Sequence, residues 1–390
     1  MFDFLHSQKH KKDELVAIFA IESGKVLSMI VDYSPNQNPK ICHASRHAME
    51  NLGSVAPERL EPIMLTSLRR ASEHLVKDGF LEMEQRKISH KKLSKIYVFL
   101  GSPWHVSKID SSNEKRDKTF FITEKLLEEV VSKNFTEDHP DLMNIEKSVT
   151  EVKANGYALK DPIGKKVLEV DVSFFSGSAQ KKVVSKIEET ILLSFPHTEV
   201  VFYTIPSSLY FVAKKILDKK DFILFIPEHE VSDILLIRNG RIEGTATVPY
   251  GKHRVVGTIA SEMNLDIPHS FSIFRLWQEK KLDKEPADKI NAIIEKARVE
   301  WNQLLSEGLW KLGSTVVLPR NIVVADNGIE SKLMGEWILG ETYSNATLTL
   351  DNFEVAFFTF DDISKNLDSL IPTSRLNPLL GCLALFAHSV

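Results

Sequence analysis

The residues with chemical potential gather in two short turns. The first, Glu22-Ser23-Gly24-Lys25, joins two apolar runs within residues 15–33. The second spans residues 227–232, carries Glu228, His229 and Glu230, and leads through Ser232 to Asp233. Apolar strands flank it, and an Asn239-Gly240 turn opens a third strand, which is a hairpin pattern. The same strand–turn–strand design therefore occurs twice. A turn that cradles phosphate needs glycine, because only glycine lets backbone N–H groups approach the phosphate oxygens closely. The first turn keeps one glycine and the second has none; Glu22, Glu228 and Glu230 stand there instead.

Other chemistry is sparse. His229 reads as a solvated turn residue, and Lys25 and Asp233 as ordinary turn residues. His105, beside Trp104, has no evident nucleophile or base to pair with. No Ser/His/Asp, Cys/His or zinc spacing stands out. No catalytic residue and no metal site are expected. A divalent ion held by Glu22, Glu228 and Glu230 is the disfavoured alternative, since the spacing is not that of a dedicated site.

Bulk properties narrow the class. A chain of 390 residues suffices for two ordinary domains. Its 43% hydrophobic and 26% charged residues fit a soluble globular protein, and a net charge of −4 argues against a generic nucleic-acid binder. Cys42 and Cys382 are too few for a disulfide framework, which points to a reducing cytoplasm. No apolar run approaches the ~20 residues of a membrane span, and the N-terminus lacks the apolar core of a secretory signal. Residues 1–12 set Phe2, Phe4 and Leu5 before a basic cluster, a weak interfacial membrane pattern weighed against a frayed terminus.

The positioning elements follow from periodicity. Strands are expected at 95–100, 149–152, 167–175, 200–203 and 321–325, with mixed strand at 348–360. Helices are expected at 58–79, 122–135 (opened by Thr123), 180–193, 207–217 (capped by Ser207 or Ser208), 254–263, 287–305, 328–338 and 377–388. Residues 35–57 read as irregular and 110–118 as a charged loop.

Several stretches resemble the FtsA family of bacterial cell-division actin homologues, with the PilM pilus-assembly proteins close by. Asn155-Gly156-Tyr157, Asp161-Pro162-Ile163-Gly164 and Leu168-Glu169-Val170 are similar to the family's inserted subdomain. Residues 96–107, 248–260 and 377–385 resemble the segment leading into it, the proline–glycine turn with its helix, and the helix closing the ATPase core. The resemblance implies an α/β, actin-like two-lobe fold with ribonuclease-H-like halves and an inserted small α+β subdomain of FtsA type. It implies these divisions: 1–14 a flexible segment, 15–103 the first lobe, 104–176 the insert, 177–218 the return of the first lobe, 219–376 the second lobe, and 377–390 a closing helix.

In that family ATP lies between the two turns. The family's first turn reads Asp-Ile-Gly-Thr-Ser-Lys-Val; here the matching residues are Ala20, Ile21, Glu22, Ser23, Gly24, Lys25 and Val26. Its second reads Asp-Ile-Gly-Gly-Gly-Thr-Thr-Asp; here Ile226, Pro227, Glu228, His229, Glu230, Val231, Ser232 and Asp233 match it. Both metal-side aspartates are gone. On the nucleoside side stand Gly251-Lys252, Phe271 and Phe274, and Asp326-Asn327-Gly328. Phe271, Phe274 and Trp277 have helical spacing and are expected to fill core, plugging the former adenosine pocket. Each carboxylate about 4 Å from a phosphate charge costs ~4 kcal/mol at an effective dielectric of 20, against ~8 kcal/mol for a micromolar nucleotide affinity.

The resemblance thus implies a nucleotide cleft reduced to remnants: Glu22, Ser23, Gly24, Lys25, Glu228, His229, Glu230, Ser232, Asp233, Gly251, Lys252, Asn327 and Gly328. No cofactor is expected, with ATP and Mg²⁺ only if the site still binds. The expected function is a non-catalytic scaffold or adaptor linking a filament or inner-membrane partner in division, with self-association through residues 104–176. The alternatives are a PilM-like pilus-assembly adaptor and an ATPase with an unusual phosphate site. FtsA proteins carry a membrane-targeting helix beyond the core, whereas this sequence ends at Val390. Peripheral contact with the inner membrane's cytoplasmic face would then fall to Phe2, Phe4 and Leu5, or to a partner.

Overall fold

Strand β1 (Glu14–Ile21) is apolar on both faces, and every residue after Glu14 is buried, as expected of a central strand in a covered sheet. In the computed structural model, which describes residues 13–49, 59–85, 92–133, 139–313, 317–326, 328–341, 343, 352–372 and 376–390, β1 pairs antiparallel with β2 (Lys25–Tyr33) and parallel with β4 (Leu93–Leu100). Strand β3 (Lys40–Ala48) adds antiparallel to β2, and β9 (Glu199–Thr204) adds parallel to β4. With the short β15 (Asp368–Ser369), the sheet order is β15-β3-β2-β1-β4-β9.

The second lobe repeats this plan. β10 (Phe222–Pro227) pairs antiparallel with β11 (Ser232–Arg238), which pairs with β12 (Arg241–Val248). β13 (Asn321–Val324) and β14 (Glu354–Phe357) extend the other side in parallel, giving β12-β11-β10-β13-β14. Each sheet thus has a three-strand antiparallel meander, with two parallel strands added beside its first strand. That is the ribonuclease-H-like order, and its duplication makes the fold actin-like.

A third, antiparallel sheet lies between β4 and β9 in sequence. It comprises β5 (Val106–Phe121), β6 (Leu142–Ala154), β7 (Tyr157–Ala158) and β8 (Lys166–Gln180), in the order β5-β8-β6-β7. Helix Glu124–Lys133 lays Leu126, Leu127, Val130 and Val131 on it, closing a separate small core with Val170, Val172 and Phe174. Thr123 starts that helix, its Oγ1 accepting from the Leu126 N–H.

Helices Ile205–Ile216 and Pro378–Ala387 join the two large sheets. Leu209, Val212, Leu380 and Leu383 share one core with Ile18 and Phe99 of the first sheet and Leu224 and Ile226 of the second. Phe386 meets Phe99, Tyr203 and Phe211 edge-on, with centroids 5.0–5.7 Å apart, and Tyr33 donates to the Ala384 carbonyl at 2.8 Å.

Three expectations need correction. Residues 40–48 form β3: Ile41 and Cys42 are buried in separate cores and His43 is buried beside them, while Ser45, Arg46 and His47 are at least part-exposed, so no apolar period marks the strand. Residues 110–118 belong to β5, an edge strand that β8 pairs on one side only, so its charges remain solvated on both faces. The helix placed at 207–217 starts at Ile205, because Thr204 is its cap: the Thr204 side chain accepts from Ser207 N–H, and Pro206 fits the first turn. Ser207 and Ser208 lie inside it.

Candidate functional site at the two facing turns

The β1–β2 and β10–β11 turns sit at the C-terminal ends of the central strands and face each other. The first is closed by Glu22 N–H donating to Lys25 O (3.0 Å) and the second by Glu228 N–H donating to Val231 O (3.0 Å). Ala20 and Ile226 are both buried and apolar.

The turns are bonded to one another. Glu228 is 2% exposed. Its Oε1 accepts from the Ser102 N–H at 3.1 Å, and its Oε2 from the Ser23 N–H at 3.4 Å. In the other direction, Glu230 N–H donates to Ser23 Oγ at 3.0 Å. The carboxylate therefore takes up amide donors on the first lobe as an anion's oxygens would. Burial, then the neighbouring charges of Asp233 and Glu22, push the Glu228 carboxyl well above the usual carboxylate range, against the two amide bonds that favour the charged form.

Asp233 is buried behind Glu228 and saturated. Its Oδ2 accepts from Ser102 Oγ–H at 2.7 Å, and its Oδ1 from Thr247 Oγ–H at 2.7 Å. Ser232 donates to the Tyr250 carbonyl at 2.7 Å. Lys25 pairs with Glu22 at 3.1 Å. Lys252 pairs with Asp326 at 2.7 Å, and Ser331 donates to the same oxygen at 2.6 Å. The Lys252 charge leads the pull that holds Asp326 down to about 2, against its burial.

Close backbone approach fixes this geometry. A Cβ on Gly101 would lie 2.3 Å from Glu228 Oε1, and one on Gly251 would lie 2.3 Å from the His229 carbonyl oxygen. Gly251 caps helix Lys252–Met263, whose first N–H groups donate to Glu228 O (2.9 Å) and His229 O (2.8 Å). Gly328 caps helix Ile329–Leu339 beside Asp326. Asn327, Phe2, Phe4 and Leu5 lie outside the described residues. A pocket between the turns, walled by Glu22, Lys25, Glu228, Lys252 and Asp326, holds about 20 Å³. That is room for about one water molecule.

Some neighbours carry no signal in the sequence pattern. His253 stacks on His229 at 4.4 Å between centroids, so His229 is not the freely solvated residue its turn suggests. His105 is not isolated: its Nδ1 lies 3.2 Å from Ser107 Oγ, and its Nε2 lies 3.8 Å from Asp233 Oδ2. The 3.8 Å gap is too long for a hydrogen bond, and burial pushes the His105 imidazole down, towards neutrality. Of the aromatic trio, Phe274 fills the second-lobe core and Trp277 stacks on it at 5.9 Å. Phe271 is 39% exposed and fills none, which corrects the expectation of a three-ring plug. Among the described residues, no helix is long and apolar enough to cross a membrane.

No protein-family model matches the sequence, and no curated protein is similar to it. Solved structures do match. The chain is similar to one in a structure described as a PilM–PilN type IV pilus biogenesis complex, with 14% identity, 97% of this chain and 99% of that one covered, and a TM-score of 0.62. Looser similarity reaches the ethanolamine utilization protein EutJ from Carboxydothermus hydrogenoformans (10% identity, 96% and 90% covered, TM-score 0.42). It also reaches a Bacteroides thetaiotaomicron protein with an actin-like ATPase fold and unknown function (9% identity, 97% and 98% covered, TM-score 0.38). At these identities the likeness is one of fold, and the first match carries it over nearly the whole of both chains.

Proposed function

We propose that this chain is a non-catalytic actin-like adaptor in a bacterial envelope machine, of the pilus-assembly kind rather than the cell-division kind. The carrying observation is the Glu228 carboxylate bound to the amides of Ser23 and Ser102. In this reading the two turns are the former phosphate turns, and the chain's own carboxylate holds the donors a nucleotide would need. ATP, Mg²⁺ and hydrolysis then have no part in its action. The cleft is kept for the shape it gives the two lobes, as their mutual hydrogen bonds suggest.

The full-length likeness to a chain of the PilM–PilN complex supports the pilus branch over an FtsA-type division scaffold. Its partner would be a protein of the pilus machinery at the cytoplasmic face of the inner membrane, with self-association through residues 104–176. Phe2, Phe4 and Leu5, or a partner, would supply peripheral membrane contact. Crosslinking of the tagged full chain in its native host, followed by mass spectrometry, tests this reading. Pilus-biogenesis proteins among the crosslinked partners support it. Division proteins instead would move the chain to the other branch, and no envelope protein at all would overturn it.

A further inference from the structure

His229, Glu230 and His253 bring one ligand atom each to within 4.8 Å of one another. We propose that they form a binding site for a divalent first-row transition ion of the zinc type, which pins the β10–β11 turn to the start of helix Lys252–Met263. Two imidazoles and a carboxylate are a ligand set that such ions favour over magnesium or calcium, with a fourth position left for water. Bond lengths of about 2.0–2.2 Å to such an ion put donor atoms ~3.4 Å apart, so the set closes when the His253 ring turns out of its stack on His229 and both in-plane lone pairs converge on the ion.

The backbone already holds these side chains together. His253 N–H donates to His229 O at 2.8 Å, and Glu230 N–H is held by Ser23 Oγ at 3.0 Å. The His229 and His253 rings stack with an interplanar angle of 19°. His229 Nδ1 lies 2.9 Å from Glu230 Oε1, so that carboxylate is aligned either to ligate or to orient the imidazole. Packing against Gly24 restrains the His229 ring, since a Cβ there would come within 2.2 Å of it. All three residues are part-exposed, which leaves an entry path. The cations alongside are engaged elsewhere, Lys252 with Asp326 and Arg254 with Glu300.

The test uses the full chain, stripped with chelator and titrated with Zn²⁺ by calorimetry and with Co²⁺ by visible absorption. One equivalent of Zn²⁺ is expected, with at least tenfold weaker binding in His229→Ala and in His253→Ala. The Co²⁺ complex should show d–d absorption without a thiolate charge-transfer band. Unchanged binding in the His229→Ala/His253→Ala double variant, with its metal-free circular dichroism intact, would overturn the site. So would no stoichiometric binding, or a thiolate band, in the unaltered chain, a readout that needs no variant to fold. Nucleotide affinity does not enter this outcome, so it stands or falls apart from the adaptor reading.

Discussion

Glu228 of the second lobe and Ser102 of the first are joined across the cleft, the Ser102 N–H donating to Glu228 Oε1 at 3.1 Å in a setting from which solvent is excluded. The unfolded chain gives up this carboxyl's proton near the ordinary value of 4.5, whereas the folded chain keeps it to higher pH. The folded state therefore binds more protons in that window, and its stability falls as pH rises from about 4.5 through the raised folded value. One such group contributes at most ~1.4 kcal/mol per pH unit. Glu228→Gln removes the titration and should flatten this loss, while lowering stability at every pH because its amide NH2 faces one of the two backbone N–H donors. Urea melts at pH 4 to 8 on both proteins check this.

The Lys252–Asp326 pair acts at the other end of the scale. Asp326 is held down to about 2 from an ordinary 3.8, so its stabilisation is present above pH 3.8 and is lost as pH falls through about 2. The shift corresponds to roughly 2 kcal/mol. Lys252→Met should remove that acid limb and destabilise the chain at neutral pH by about 2 kcal/mol, since a part-buried carboxylate loses its ion-pair partner and keeps only the Ser331 hydrogen bond. Denaturant melts between pH 2 and 7 measure both effects.

Two glycines separate space from backbone conformation. Gly251 has an ordinary extended backbone but no room: a Cβ would meet the His229 carbonyl, which cannot swing away as a side chain could. Gly156 lies at φ +84° with nothing within 4 Å of where its Cβ would be. Gly156→Ala should cost only about 1 kcal/mol, from the left-handed backbone, and Gly251→Ala about 3 kcal/mol or more, from forced displacement of the turn. Thermal melts of the two variants rank them.

Much of the architecture is legible in the sequence because burial imposes a period. β1, β2, β10 and β11 are apolar runs bounded by turn residues, and their repetition suggests the doubled lobe. β3 and β5 escape that reading, since an edge or half-solvated strand tolerates His, Ser, Lys and Asp without an apolar alternation. The cap at Thr204 escapes it because Ser207 and Ser208 are equally good capping types, and only the backbone turn at Thr204 decides between them. Of the candidate site, the changed turn residues can be read directly. That Glu228 reaches Ser102, that His253 stacks on His229, and that His105 meets Asp233 are long-range facts with no local pattern to announce them.

One buried carboxylate ties the third sheet to helix Ile205–Ile216, beside the Arg241–Glu151 and Thr245–Ser107 contacts that tie it to β12. Glu146 on β6 accepts from Thr204 N–H and Oγ–H, both at 2.9 Å, and from Ser207 Oγ–H at 2.6 Å. Glu146→Ala would strand buried donors at about 1–3 kcal/mol each and loosen β6 from helix Ile205–Ile216. Amide exchange in residues 142–154 and 204–208 should quicken, while the core of the second lobe keeps its protection.

In the proposed function, Glu228 closes the cleft to nucleotide by holding the Ser23 and Ser102 amides. Calorimetric titration of the full chain with Mg–ATP tests it most directly, with Glu228→Ala titrated alongside. The unaltered chain should give no saturable heat up to millimolar ATP, the concentration at which binding free energy falls to about 4 kcal/mol. Saturable binding by the unaltered chain below ~100 μM, worth more than about 5 kcal/mol, would contradict the account.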